Sequence, residues 1–201
     1  MVMEPPAFER ARAVLDSAKA PDARKAAQMF VAQIGRNSAF QLEACVNCGH
    51  CAEACHFHLV TGDPRYTPIY KLRPMLKAYQ RERAPFAALT RLFGLAPPEP
   101  TAQELAEWSE LLYDSCNLCG RCTLVCPMGI DIAGLVRQAR EGMSAAGFAP
   151  TDLYEATRHA LETGSPMRVR WPALKRQIEL QERETGLKIP VDVEGADYLL
   201  V

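Results

Sequence analysis

The chain has 201 residues, with 23 Lys and Arg against 24 Asp and Glu and a formal charge of −1. That balance argues against the basic surface of a nucleic-acid binder, and 48% hydrophobic with 23% charged residues excludes wholesale disorder. No run approaches the roughly 18 apolar residues of a membrane span. The opening MVMEPPAFERARAVLDS sets charges where a signal peptide keeps its apolar core, so the expected location is the cytoplasmic side, at most peripheral to the inner face of a membrane.

The 29 Ala against 17 Val and Ile favour helix over strand. A first helix opens at Pro5-Pro6 with Phe8, Ala11, Leu15 and Ala18 on one face, and a second runs from near Pro21 to Gly35 through Ala23, Ala27, Phe30, Val31 and Ile34. After a cysteine run at 45–55, Thr61-Gly62-Asp63-Pro64 reads as a turn. Pro68 leads a helix carrying Ile69, Leu72, Leu76 and Tyr79, which Pro74 is expected to kink or split. A short piece spans Pro85–Leu95, and Ala96-Pro97-Pro98-Glu99-Pro100 is a stiff connector. Thr101 and Glu104 form a capping box before Leu105, Trp108 and Leu112.

A second cysteine run covers 116–126. Asp131 then caps a helix with Ile132, Leu135, Val136, Ala139 and Met143, closed by Gly147. Further helices run from Thr151 to Gly164 and from Pro172 to Gly186. The tail, Lys188-Ile189-Pro190-Val191 and Asp197–Val201, reads as β, although a lone strand has no partner in this chain. The expected fold is mostly α: an N-terminal helical segment (1–37), a helical dicluster domain (38–165) and a C-terminal helix with a linker or strand (166–201).

All eight cysteines lie in two eleven-residue windows. The first is Cys45-x2-Cys48-x2-Cys51-x3-Cys55; the second is Cys116-x2-Cys119-x2-Cys122-x3-Cys126, followed by Pro127. A disulfide framework would scatter cysteines along the chain, and structural zinc sites usually present separated pairs. The observed spacing is that of bacterial [4Fe–4S] ferredoxins, in which the fourth cysteine of each run ligates the other cluster. By that rule one cluster takes Cys45, Cys48, Cys51 and Cys126, and the other Cys116, Cys119, Cys122 and Cys55. Two such clusters would carry the formal charge from −1 to about −5.

Several residues flank the runs. Gly49 and Gly120 follow the second cysteine of each, where a loop hugging a cluster needs backbone freedom. Pro127 turns the chain out of the run. Ile130 and Ile132 are set to shield a cluster or to join the core, and Arg121 to tune one or to face solvent. His50, His56 and His58 read as packing residues, with hydrogen bonding to sulfur as the functional alternative. Two basic stretches, Lys71, Arg73, Lys77, Arg81 and Arg83, then Arg168, Arg170, Lys175 and Arg176, read as solvated helix faces, the alternative being docking onto an acidic or membrane-attached partner. No phosphate loop, nucleophile elbow, HExxH motif or Cys-Cys pair occurs, so the chain presents electron wiring without a visible substrate site.

The stretches CGHCAEACHF (48–57), TGDP (61–64), LFGL (92–95) and Trp108 through Ile132, ending CTLVCPMGIDI (122–132), resemble the α-helical ferredoxin domain of heterodisulfide-reductase-like iron–sulfur proteins. That family includes a small C subunit, the N-terminal half of a fused D subunit and, in greatest likeness, the K subunit of the membrane complex associated with dissimilatory sulfite reductase. The resemblance covers about residues 40–200 and implies two [4Fe–4S] clusters carrying electrons between a membrane quinone-linked subunit and a thiol/disulfide-handling domain with Cys-Cys-Gly motifs. The tail 197–201 resembles the first strand of that domain, consistent with a fragment or with a stand-alone subunit that pairs with a partner's sheet. The iron–sulfur subunits of glycerol-3-phosphate or lactate dehydrogenases share the helical plan, and a zinc-stapled interaction module is the alternative of another class.

Overall fold

Local signals place the first helices. In this computed structural model, which describes residues 6–191 and 193–195, α1 spans Pro6–Ser17 and α2 Ala23–Gln33. The Asp22 carboxylate accepts from the N–H groups of Arg24 (2.9 Å) and Lys25 (3.1 Å), satisfying two of the orphan donors at the start of α2. Ala26, Phe30 and Ile34, spaced four apart, form its buried stripe. The next helix, α3 (Arg36–Glu43), carries no clear sequence signal. Its inward face is Ser38 and Leu42, and Ser38 Oγ donates to Gln138 Oε1 at 3.1 Å, so a polar residue stands where an apolar one would have marked the period.

The segment with Pro68 and Pro74 splits. Here α6 is Pro68–Lys71 and α7 is Arg73–Glu82, following α4 (His50–Ala54), α5 (His56–Thr61) and a 3-10 turn at Pro64–Tyr66. Pro74 falls in the first turn of α7, where its missing N–H costs nothing. After α8 (Ala87–Leu92), the capping box opens α9 (Ala102–Ser109): Thr101 N–H donates to Glu104 Oε2 at 2.9 Å, and Glu104 N–H to Thr101 Oγ1 at 3.2 Å. A π turn, Glu110–Asp114, continues it. Then come α10 (Arg121–Leu124), α11 (Ile132–Ala145), α12 (Thr151–Thr163) and α13 (Trp171–Thr185).

The core lies where α2 packs against α7 and α11. Phe30, Met75, Leu105, Leu112, Val136 and Met143 are fully buried there. Gly142 permits the close approach of α11, since a Cβ at that position would lie 2.5 Å from Phe30 Cδ1. Tyr113 closes one edge by donating to Arg140 O (2.6 Å) while its oxygen also meets Ser144 Oγ (2.9 Å), and burial pushes its phenol up to about 12.

The chain forms two compact units, Met1–Tyr154 and Glu155–Val201, with the boundary inside α12. In the second unit α13 buries no residue, and Arg168, Arg170, Lys175 and Arg176 are exposed, as a solvated face requires. The first basic stretch departs from that reading. Lys71 is buried, Lys77 pairs with Glu104 at 3.0 Å, and Arg81 donates to Pro97 O at 3.0 Å and faces Glu99 at 3.6 Å. That part of the face is turned toward α9 and the proline connector, which supply the acceptors, whereas Arg73 and Arg83 are exposed as expected. No strand occurs among the described residues. Residues 188–191 are irregular because nothing offers them a ladder, and 197–201 lie outside the described residues. No described helix is long and apolar enough to cross a membrane.

Candidate functional site

The two cysteine runs share one backbone course. In the first, Asn47 (φ 54°) and Gly49 (φ 88°) bracket Cys48 with left-handed conformations; in the second, Leu118 (φ 51°) and Gly120 (φ 76°) bracket Cys119 in the same way. Gly49 then caps α4 and Gly120 caps α10, and these two short helices pack together. The glycines were legible as backbone pivots; the residue before each second cysteine was not. Asn47 tolerates the left-handed region through its short polar side chain, whereas Leu118 bears about 1–2 kcal/mol of strain there. A strained residue retained beside a cysteine marks a loop shaped for something other than its own stability.

Each run delivers its cysteines to a cavity. The first, of about 220 Å³, is lined by Cys45, Cys48, Cys51 and Cys126, with Pro127 and Ile130 among its walls. Ile69, Leu72, Ile132 and Leu135 supply further apolar lining, and Ile130 and Ile132 serve the core at the same time. Burial raises the Cys51 thiol above its ordinary pKa, and the nearby thiols of Cys45, Cys48 and Cys126 push in the same direction. The second cavity, about 30 Å³, is lined by Cys55, Cys116, Cys119 and Cys122, with Gly120, Arg121, His56 and Phe57 beside them. Burial pushes Cys122 up to about 11, with Cys116 and Cys119 contributing. In both cavities three cysteines of one run meet the last cysteine of the other. None of the eight is paired in a disulfide.

The α6 turn forms a wall common to both sites: Ile69 faces the first cavity, Pro68 and Lys71 the second. Two cations lie against the backbone that leads into the second run. Lys71, 2% exposed, donates from Nζ to Ser115 O and stands 5.3 Å from the Phe57 ring centroid. Arg140 donates from Nε to Leu112 O at 2.7 Å and from Nη2 to Cys116 O, and stacks 5.2 Å from the Tyr113 ring. Sequence reading missed both roles: Lys71 was grouped with a basic face, and Arg140 lies well beyond the run it serves, on the far side of Pro127.

The histidines divide. His58 Nδ1 lies 3.1 Å from Asp63 O, an ordinary turn contact, and exposed His50 lies 3.7 Å from Glu53. Of the three, His56 is the one that reaches a cysteine-lined cavity.

The donor chemistry narrows what these cavities suit. Among the described residues no three His, Cys, Asp or Glu side chains converge closely enough for a single metal ion. A zinc tetrahedron with Zn–S of about 2.3 Å holds its sulfurs about 3.8 Å apart. Thiols spread around a cavity with apolar walls suit a larger inorganic core, as in [4Fe–4S] ligation. The first cavity fits such a core in volume and donors. The second fits in donors but holds little more than one water, so its lining must spread to admit such a core.

The family description "4Fe-4S dicluster domain" matches residues 41–130, which span both runs. The class is thus a helical iron–sulfur dicluster domain. Over 182 residues, 86% of this chain and 32% of the relative, the chain is 32% identical to the Hdr-like menaquinol oxidoreductase iron-sulfur subunit of Archaeoglobus profundus. Over 178 residues, 83% of this chain and 31% of the relative, it is 31% identical to iron-sulfur subunit 2 of the Hdr-like menaquinol oxidoreductase of Archaeoglobus fulgidus. It also shares 30% identity over 111 residues with the D subunit of the dihydromethanophenazine:CoB–CoM heterodisulfide reductase of Methanosarcina barkeri, covering 55% of this chain and 26% of that one. The chain belongs to the heterodisulfide-reductase-like iron–sulfur proteins. It spans about a third of the length of the two Archaeoglobus relatives. No solved structure matches it.

Proposed function

We infer that this chain holds two [4Fe–4S] clusters and relays electrons within a heterodisulfide-reductase-like oxidoreductase complex. One cluster takes Cys45, Cys48, Cys51 and Cys126, the other Cys116, Cys119, Cys122 and Cys55. The carrying observation is the exchange of the last cysteine between runs, which gives each cavity four thiols. When bound, such clusters supply one-electron transfer without proton or bond changes at the protein. The chain's own contributions are then specific. Ile69, Leu72, Ile130 and Ile132 exclude water from the first site. The backbone pivots at 47, 49, 118 and 120 wrap the loops, and α6 forms a wall common to both sites. Such proximity favours electron exchange between them.

The donor side of this reading is a quinone-linked membrane subunit, and the acceptor side a thiol/disulfide-handling domain with Cys-Cys-Gly motifs; the names of the relatives support both. Anaerobic reconstitution tests the core of it: about eight irons per chain and two distinguishable reducible paramagnetic signals are expected, whereas zinc without iron refutes it. A second reading makes the chain the N-terminal part of a catalytic subunit, drawing on relatives about three times its length. A reading frame continuing past Val201 into Cys-Cys-Gly motifs supports that version.

A further inference from the structure

The second site is built with positive charge that the first lacks. A buried ammonium is costly unless an anion compensates it, yet the contacts of Lys71 are a carbonyl and an aromatic ring. Arg140, partly buried, likewise rests on two carbonyls and the Tyr113 ring. The acceptors are consecutive where it matters: Ser115 O takes Lys71, and Cys116 O takes Arg140. Both cations therefore meet the backbone at the first cysteine of the second run. The charged residue lining the first cavity is instead an acid, Glu43.

Hydrogen bonding alone does not account for this. A neutral amide would serve Ser115 O equally well and would avoid the desolvation of an ammonium. What a neutral group does not supply is a fixed charge beside a site that gains negative charge on reduction. Four thiolates around a [4Fe–4S]²⁺ core leave two net negative charges, and one added electron makes three. Cations held in a low-dielectric wall stabilise the reduced form more than the oxidised one.

We propose that Lys71 and Arg140 set the polarity of the cluster pair, making the site of Cys116, Cys119, Cys122 and Cys55 the one of higher reduction potential. This rests on the two-cluster reading. Electrons entering the pair then reside on the second site, and the Glu43-lined first site is the one harder to reduce. The same charges preserve the folded loop, since loading the site gives them the anion they lack.

The test is a potentiometric titration followed by paramagnetic resonance, on the anaerobically reconstituted full chain and its K71Q, K71R and R140Q variants. K71Q keeps a donor for Ser115 O and removes the charge; K71R keeps the charge. In K71Q one cluster is expected to become at least tenfold harder to reduce, a shift of about 59 mV for one electron, while the other moves by less than a third of that. The affected cluster should be the one whose signal survives in C126A. K71R is expected to stay near the wild type, and R140Q to shift the same cluster in the same direction as K71Q. Unmoved potentials in K71Q, or equal shifts in K71Q and K71R, overturn the proposal. If K71Q fails to retain iron, R140Q carries the test, and an unmoved potential there overturns it. A wild-type chain showing only one cluster refutes the two-cluster reading itself, so the two failures are distinguishable before any variant is made.

Discussion

Exchange of fourth ligands makes the clusters structural braces, and the cost of cutting one brace can be worked out. Joining residues 51 and 126 through a cluster closes a loop of about 75 residues, worth about 4.5 kcal/mol by chain entropy when it is the sole tie. Residues 55 and 116 are tied by the other cluster, however. With that tie in place, which also holds Cys122, the first brace closes only the short remainder, about 8 residues from 51 to 55 and 122 to 126, worth about 2.5 kcal/mol. Cys126→Ala is therefore expected to cost about 2.5 kcal/mol of closure entropy beyond any loss of iron. Cys48→Ala removes a ligand from the same site but leaves Cys45, Cys51 and Cys126 to hold the two runs together. Anaerobic urea unfolding of the iron-loaded proteins, followed by helical circular dichroism, should place C126A below C48A by that margin. The double variant C55A/C126A loses both braces, about 7 kcal/mol in total, comparable with the whole stability of many domains, and is expected not to fold. Equal stability of C48A and C126A would refute the exchange. So would loss, in C126A, of the cluster on Cys116, Cys119 and Cys122.

Three further predictions concern the frame around the site. Burial lifts the Tyr113 phenol from its ordinary value near 10 to about 12, so the fold favours its protonated form. Its contribution is fully present below pH 10 and is lost as the pH rises toward 12, about 2–3 kcal/mol in all. In Y113F, urea midpoints measured at about pH 9 and pH 11, either side of the ordinary phenol value, should differ less than in the wild type. Removing the capping box with T101A should cost about 1 kcal/mol, read as a lower thermal midpoint with unchanged iron binding. In G142A, alanine gains about 1 kcal/mol of helix propensity, but its methyl group meets the fully buried Phe30 ring at 2.5 Å. Overpacking at about 1–3 kcal/mol outweighs the gain, so net destabilisation is expected, relieved by the double variant F30L/G142A.

What was legible in the sequence followed from chemistry that acts locally. Thr101 with Glu104, and Asp131, cap helices through their own nearest backbone amides, and each does so where the spacing placed it. Pro74 splits its helix because a proline ring excludes only its own neighbours. The features that were missed depend on distant segments. The α3 helix buries Ser38 because Gln138, a hundred residues later, supplies an acceptor. Lys77 and Arg81 looked solvated because their partners, Glu104 and Pro97 O, arrive from α9 and the connector. Residues 188–191 carry β composition, but composition does not supply a neighbouring strand.

The same division explains why the candidate site was readable while its electrostatics were not. Eight thiols at fixed short spacings announce themselves, since a cluster draws three of its four ligands from one loop. The charges near it obey no spacing rule. Lys71 comes from a four-residue helix and Arg140 from the third turn of α11, and only tertiary packing brings both to the carbonyls at the start of the second run. The two runs follow the same backbone course, down to paired left-handed residues at 47 and 49, then 118 and 120, so duplication alone would give two equivalent sites. The difference is added from outside the repeat, by residues that touch one copy only. A pair of like clusters has a direction for electrons only if something breaks their equivalence, and in this chain the asymmetry lies in which backbone carbonyls hold a cation.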